Sequence, residues 1–458
     1  MIQDTIAGIS TAVGNAGIAI IRISGNEAFT IADSLFRGNQ KVEAQASHTL
    51  QYGKIVVPDG GETIDEVLLI KMEAPRTYTR ENIVEIHCHG GHVVTGRILS
   101  LVLKAGARPA EPGEFTKRAF FNGRIDLSQA EAIMDIIQAR TQTGSRAAVR
   151  QLEGSLSLRL SNLRGLLVDI LSKIEVNLDY PEYDAEEITA TQARKTAGQV
   201  LNEITSLINS FHYGKILREG LHVVIAGRPN VGKSSLMNRL SRKNKSIVTE
   251  IPGTTRDIIE ESINIKGIPI LLADTAGIRE TEDQVERIGV ERSEAALQNA
   301  DFIVLLMDAS RPLDREDQRL IERVADSGDP YILVFNKIDL VEKEALSALK
   351  NHYPECILMT LKNDEGVEEL EEGLFRYATE KAQNLEGDVL ITNARHERQL
   401  HRAKEALEAA ISACDAGLTM DIVALELNRA LEEIGAITGH HAAQEVLDAV
   451  FSRFCLGK

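Results

Sequence analysis

The segment Gly227 to Ser234 reads GRPNVGKS, with glycines and a lysine at the spacing that wraps a backbone loop around nucleotide phosphates. The glycines let backbone N–H groups approach the phosphates, and the helix expected after the loop adds partial positive charge at its N-terminus. Asn230, Val231, Gly232 and Ser235 belong to this cradle, while Lys233 is placed to reach the β- and γ-phosphates and Ser234 to offer its hydroxyl to magnesium. Three further elements follow in order. The run Thr249, Glu250, Ile251, Pro252, Gly253, Thr254, Thr255 leads through GTTRD, and its Thr255 can close over magnesium and the γ-phosphate. Asp274, Thr275, Ala276 and Gly277 stand where a carboxylate behind the magnesium and a γ-phosphate sensor belong. Asn336, Lys337 and Asp339 complete the set: a carboxylate there accepts both hydrogens of the guanine N1 and N2 edge, which adenine lacks. The usual fifth element is atypical, with Thr360, Leu361 and Lys362 where a small-residue pair is more common. The chemistry implied is binding and hydrolysis of GTP.

These residues need strands to end on and helices to begin at. The apolar runs 221–226, 268–273 and 331–335 read as buried strands, each leading directly into one of the motifs, and 235–240 opens a helix. Around this nucleotide core the N-terminal segment mixes strands (17–24, and the clearly alternating 82–89) with a helix at 93–104, before Pro112 and Gly113 break the pattern. Helical spacing then holds over 128–178, opened by a capping box of Ser128 and Glu131, and again over 191–213; Pro181 and its acidic neighbours mark a loop between them. Further helices are expected over 393–416 and 420–454. Amphipathic helices on both sides of a nucleotide core suggest one helical domain interrupted by it. The fold expected is multi-domain α/β: an N-terminal α/β domain (1–120), a discontinuous helical domain (121–215 and 383–458) and a P-loop, Ras-like GTPase core (216–382).

Composition narrows the partners. The chain has 458 residues, 43% hydrophobic and 26% charged, ordinary for a soluble protein of two or three domains. A formal charge of −17 excludes general coating of nucleic acid, so any RNA contact must be a local patch. Four scattered cysteines, no basic leader and no long apolar run indicate a cytoplasmic protein with no membrane span. The terminal Cys455-Leu456-Gly457-Lys458 is a poor lipidation signal.

Several residues carry two readings. Ras-type GTPases place a water-orienting glutamine where this chain has Ile278, so another group must act; Glu280, Glu282 and Glu286 are near in sequence, or are solvated surface charges. Asn230 is either a ligand for a monovalent cation beside the phosphates or a turn residue. His87 and His89 alternate with Cys88, which puts the three on two strand faces and argues against a metal site; His89 is instead a candidate lining residue of a ligand pocket. Cys455 is a reactive thiol or a small buried residue. Arg146 and Arg150 share a helix face, as a local RNA contact or as a solvated face.

The motif set GRPNVGKSS, IPGTTRD, DTAGIRE…VERIGVERS and NKID, together with GIAIIRISG, PGEFTKRAFFNGRIDLSQAEAI and the closing FSRFCLGK, resembles the MnmE (TrmE) family of tRNA-modification GTPases over the whole chain. The resemblance implies a homodimer working on tRNA with MnmG, a partner that carries FAD. Together they build an aminomethyl-type group (carboxymethylaminomethyl among them) on C5 of the wobble uridine from a folate-derived one-carbon unit. GTP hydrolysis would be potassium-stimulated. By the same resemblance Asn230, Thr249, Ile251 and Thr254 hold potassium, Ser234 and Thr255 hold magnesium, and Glu286 orients or activates the hydrolytic water, with Lys233 as the second catalytic group. Arg22, Glu85, Arg124 and Lys458 match folate-binding positions for 5-formyl-tetrahydrofolate or a relative, with arginine at 124 where some members have lysine. The stretch 439–443 lacks the acidic residue usual nearby. The rival class is a GTPase acting as an assembly switch, for which Arg22, Glu85 and the terminal CLGK would be superfluous.

Overall fold

The computed structural model describes residues 4–12, 14–58, 61–179, 186–244, 260–274, 300–380, 389–440, 443–454 and 457–458. They form two compact units, one from Met1–Met134 with Gly435–Lys458 and one from Asp135–Ile434.

The first unit contains β1 (Ile6–Ile9), β2 (Ala16–Ser24), α1 (Ala28–Leu35), β3 (Phe36–Gly38), β4 (Thr49–Val56), β5 (Thr63–Met72), β6 (Ile83–Gly90), α2 (His92–Lys104), β7 (Arg108–Pro109) and α3 (Glu114–Phe121). The strands make a seven-stranded sheet in the order β3-β4-β5-β6-β2-β1-β7. Alternation buries Ile21 and Ile23, Val67 and Leu69, and Val84 and Ile86 against Ile31 and Leu35 of α1 and Ile98 and Val102 of α2. The opposite face carries the intervening residues in register, one row being Arg22, Glu85, Ile70, Leu50 and the next Ile20, His87, Leu68, Tyr52. Beside the sheet lies a buried ionic cluster. Arg118, 1% exposed, pairs with Asp4, Glu81 and Glu114. Burial would raise the Glu114 pKa, but Arg108, the Glu111 backbone N–H and Arg118 outweigh it and hold the carboxyl below its ordinary range.

Helix α4 (Leu127–Gln138) begins earlier than its expected cap. Asp126, not Ser128, is the capping residue: its Oδ1 accepts from Gln129 N at 2.9 Å, and Gln129 Oε1 accepts from Asp126 N at 2.9 Å. The physical reason is burial, since Leu127 and Ser128 are both fully enclosed and must sit on the helix to be so. The expected continuous stretch also divides. Thr141 caps α5 (Gln142–Leu152) by accepting from Gly144 N, and Gly154, at φ 91°, separates it from α6 (Ser155–Asp179). Then come α7 (Glu186–Asn209) and α8 (Phe211–Glu219). The last expected helix is broken too: Gly439, at φ 92°, stands between Met420–Thr438 and Gln444–Phe451.

The second unit holds β8 (Leu221–Ala226), α9 (Lys233–Asn244), β9 (Glu260–Ile265), β10 (Ile268–Asp274), β11 (Phe302–Asp308), β12 (Tyr331–Asn336) and β13 (Ile357–Leu358). They form a six-stranded sheet ordered β13-β12-β11-β8-β10-β9, in which β9 alone runs antiparallel to its neighbour. Both faces are covered, so β11 (FIVLLMD) is buried at every residue, as a central parallel strand requires.

Replacing Arg118 with alanine would leave Glu81 and Glu114 as carboxylates without their central cation, and stability should fall by about 3–5 kcal/mol. Urea unfolding would read this, an unchanged midpoint showing that the cluster does not hold the unit together.

Candidate functional site

The guanine-nucleotide elements gather at one edge of the six-stranded sheet. β8, β10, β11, β12 and β13 run parallel, so their C-terminal ends share that edge, where open α/β sheets bind ligands. β8 ends in the phosphate loop, β10 in Asp274, β11 in Asp308, β12 in Asn336, and β13 leads to Thr360. Gly227 and Gly232 have φ of 151° and 108°; a Cβ would stand 2.3 Å from Leu306 O at the first and 2.4 Å from Asn336 Nδ2 at the second. Neither position admits a side chain, which leaves the loop backbone bare for phosphate. Asn230 takes the left-handed bend between them, φ 63°, and is exposed. Lys233 Nζ donates to Gly227 O at 2.5 Å and Arg228 O at 3.1 Å, and Ser234 and Ser235 are exposed on the first turn of α9.

Lys337 ties the edge together. Its Nζ donates to Asn230 O at 2.9 Å in the phosphate loop and to Asp308 Oδ2 at 2.6 Å at the end of β11. Burial would raise the Asp308 pKa, but Lys337 and Ser310 together hold it below the ordinary range. Asn336 Nδ2 donates to Val231 O at 2.8 Å, while its Oδ1 is buried without a protein donor. Arg228 reaches the other way, pairing with Asp314 and, at 2.9 Å, with Glu316. Asp314 is the N-cap of the helix Arg315–Ser327, and the backbone N–H of Asp317, helped by Arg228, brings its carboxyl down to about 2. The atypical fifth element does reach the carboxylate expected to read the base: Thr360 Oγ1 donates to Asp339 Oδ1 at 2.7 Å. A backbone cradle that a Cβ would fill, an orphaned buried acceptor and exposed hydroxyls on the first turn of α9 together fit a guanine nucleotide with magnesium.

A second cluster lies in the first unit. Arg22 Nε and Nη2 each lie 2.9 Å from Glu85 Oε1, and both side chains are 15% exposed. The Arg22 guanidinium stands 5.3 Å from the Tyr78 ring centre and 5.5 Å from that of Phe115, and Arg124 lies 4.8 Å from the Tyr78 ring. The Tyr78 hydroxyl is 2.8 Å from Thr116 Oγ1, and burial pushes its pKa up. His87 Nε2 is 3.3 Å from Glu85 Oε2. The C-terminus comes to the same unit: Ser10 Oγ donates to Gly457 O at 3.0 Å, and a Cβ on Gly8 would be 3.7 Å from Gly457 Cα and 3.5 Å from Phe115. Lys458 is half-buried. Two guanidiniums over an aromatic floor, one neutralised by a carboxylate, suit an anionic ligand with flat rings, such as a folate. His89 lies apart from this floor, with its Nδ1 2.7 Å from Asp65. Cys88 faces the core, and burial raises its thiol pKa to about 11.

The structure therefore brings together Asn230, Val231, Gly232, Lys233, Ser234, Ser235, Asn336, Lys337 and Asp339 in one place, and Arg22, Glu85 and Arg124 in another. Thr249, Glu250, Ile251, Pro252, Gly253, Thr254, Thr255, Thr275, Ala276, Gly277, Ile278, Glu280, Glu282, Glu286 and Cys455 lie outside the described residues, as does the side chain of Asp274. Sequence reasoning passed over Asp308, Arg228, Tyr78 and Phe115. Asp308 was visible as a carboxylate closing an otherwise apolar strand; Tyr78 gave no local signal.

Comparison with known proteins finds relatives along the whole chain. The family model described as the MnmE helical domain matches residues 127–455, and that described as the GTP-binding protein TrmE N-terminus matches residues 5–124. The chain is 48% identical over 458 residues to the tRNA modification GTPase MnmE of Acetivibrio thermocellus, covering 100% of this chain and 99% of that one. It is 49% identical over 461 residues to the tRNA modification GTPase MnmE of Lysinibacillus sphaericus, covering 99% of each. Among solved structures it is similar to Era in complex with MgGDPNP and nucleotides 1506–1542 of 16S ribosomal RNA, at 28% identity, TM-score 0.28, and coverage of 34% of this chain and 56% of that one. Matched by both domain models, and nearly half identical to these relatives along its whole length, the chain belongs to the MnmE (TrmE) family of tRNA modification GTPases.

Proposed function

We propose that the protein is a potassium-stimulated GTPase that acts as a cytoplasmic homodimer with the FAD-carrying partner MnmG. In this reading it adds an aminomethyl or carboxymethylaminomethyl group to C5 of the wobble uridine of certain tRNAs, using a tetrahydrofolate-derived carbon. The observation that carries the reading is the cation–aromatic cluster of Arg22, Glu85, Tyr78 and Arg124, in a chain that also holds the phosphate loop and the Asn336–Asp339 segment of a guanine-nucleotide edge. A GTPase that only switched would need no such cluster.

At the nucleotide edge Lys233 meets the β- and γ-phosphates and Asp339, oriented by Thr360, reads guanine. Ser234 and Thr255 would hold magnesium, which supplies positive charge against the transferring phosphoryl. Asn230, Thr249, Ile251 and Thr254 would hold potassium, in the place an arginine finger takes elsewhere. Glu286 orients the water that attacks the γ-phosphorus as the bond to GDP breaks. At the other site Arg22 and Arg124 supply cationic donors to the folate's carboxylates, Tyr78 and Phe115 a flat apolar floor, and Lys458 a further cation.

Two further parts of the reading have structural support. The GTPase core, 216–382, is taken as an insertion in a helical domain, 121–215 and 383–458, following an N-terminal domain, 1–120; α7 packs along the helix Ala394–Asp415, with Arg194 2.5 Å from Asp415. A homodimer is favoured by the uncovered sheet face of the N-terminal domain, where Leu50 is 53% and Tyr52 58% exposed.

Mass spectrometry of tRNA nucleosides from cells lacking the gene should show loss of aminomethyl-type wobble uridines. The wild-type gene should restore them and Glu286→Ala should not, although that variant should bind GTP almost normally. An unchanged profile would leave an assembly switch as the better reading. Asn230→Gly keeps the left-handed bend accessible while removing the side chain, so potassium stimulation should disappear with nucleotide affinity nearly kept; stimulation equal to wild type would remove Asn230 as a ligand. Arg22→Ala should weaken 5-formyl-tetrahydrofolate binding by roughly tenfold or more in calorimetry, as expected for a charge-assisted pair, with GTPase turnover intact; undiminished folate affinity would refute the site.

A further inference from the structure

We propose that helix α5 carries a contact for tRNA phosphates made by Arg146 and Arg150. The proposal rests on tRNA being this protein's substrate. Of the five arginines from Arg140 to Arg164, two are engaged inside the fold. Arg159 Nη2 lies 2.7 Å from Glu203 Oε2, and Arg164 Nη1 donates to Leu431 O at 3.1 Å. Arg140, Arg146 and Arg150 are exposed, and among the described residues they have no hydrogen bond or ion pair.

The helix cannot roll to hide them. Gly144, Ala148 and Gln151 are its buried side, and a Cβ on Gly144 would already stand 2.8 Å from Leu217 O. Helical spacing then sets Arg146, Val149 and Arg150 together on the solvent side, with Val149 40% exposed beside the two guanidiniums. Neighbouring cations are neutralised: Arg218 by Asp135, Lys215 by Asp301 and Lys266 by Glu372. Among the described residues, the acids of this region not held in those pairs are Glu153, at the C-cap of α5, and Glu219, at the end of α8, both exposed. In a chain of net charge −17 a free arginine pair stands out as a local positive site. Arginine's planar fork suits phosphate oxygens, and such contacts position an RNA without reading its sequence. That is what an enzyme acting on several tRNAs needs away from the modified base.

The test is fluorescence anisotropy of the full-length protein with an unmodified tRNA transcript bearing a wobble uridine, across a salt series. Each phosphate contact contributes about 0.7–0.9 to the slope of log affinity against log salt. Arg146→Ala/Arg150→Ala should therefore lower that slope by roughly 1.4–1.8 and weaken binding by more than about tenfold at low salt. Its disadvantage should shrink about tenfold between roughly 50 and 200 mM salt. Arg146→Lys/Arg150→Lys should keep most of the slope. GTPase turnover and thermal midpoint, measured on the same samples, should stay at wild-type values, which separates the effect from misfolding. Wild-type affinity and slope in the alanine pair would overturn the proposal. So would loss of binding to MnmG with tRNA binding untouched, because the face would then serve a protein. A wild-type protein with no tRNA affinity at any salt would count against the tRNA-modification reading itself, before any variant was compared.

Discussion

The nucleotide edge depends on one ammonium group. Lys337 Nζ joins the end of β11, through Asp308, to the phosphate loop, through Asn230 O, while its own backbone follows β12. The Asp308 carboxylate is fully used: Oδ2 takes Lys337, and Oδ1 accepts from Ser310 N at 3.0 Å and Ser310 Oγ at 2.6 Å. A carboxylate so placed cannot be freed cheaply, because an unpaired charge in a largely buried position costs several kcal/mol, roughly 3–5 on loss of a partner. The left-handed bend at Asn230 and the approach of Gly232 to Asn336 are thus imposed by the strand next door. The loop's own sequence supplies permission for that conformation, and Lys337 supplies the reason it is adopted.

The first unit solves a different problem, holding two guanidiniums against one aromatic ring. Glu85 takes Arg22 through Nε and Nη2, which leaves Nη1 outside the pair. Tyr78 accepts both Arg22 and Arg124 as ring neighbours, so one aromatic face system lowers the mutual repulsion of two guanidiniums. Position on the sheet makes this possible. Arg22 and Glu85 are register partners on adjacent strands, on the face opposite α1 and α2, and only there can long polar side chains remain partly solvated. The same alternation that buries Ile21, Ile23 and Cys88 therefore presents Arg22 and His87.

Much of this was legible in the chain because the signals are local. β8, β10 and β12 are apolar runs that end in motif residues, and their ends fall within a residue of expectation. Where two local solutions compete, packing decides. Asp126 with Gln129 and Ser128 with Glu131 are overlapping capping boxes two residues apart, and the need to enclose Leu127 selects the first. Thr360 looked wrong as a residue type yet supplies the hydroxyl that orients Asp339, since a threonine can donate as a serine does. Asp308 showed as a carboxylate closing an apolar strand, but its bond to Lys337, like the neighbours of Tyr78, joins residues distant in the chain that meet only in the folded sheets. The roles of Thr249, Thr254, Thr255 and Glu286 rest on motif pattern and family membership alone.

The last strand pair of the sheet is anchored at its turn. β9 and β10 form a hairpin, with Ile265 opposite Ile268, that joins the segment bearing Thr255 to the strand ending in Asp274. Its turn, Lys266 and Gly267, is pinned on two sides. Lys266 pairs with Glu372 and lies 5.3 Å from the Phe375 ring, while a Cβ on Gly267 would stand 2.5 Å from Thr143 Oγ1 on α5. Paired strands resist bending within their ladder more than loops do, because every backbone bond along them would have to stretch at once. Thr143 stands one turn before Arg146 on α5, so the turn of the hairpin is set against the helix that carries the exposed arginines.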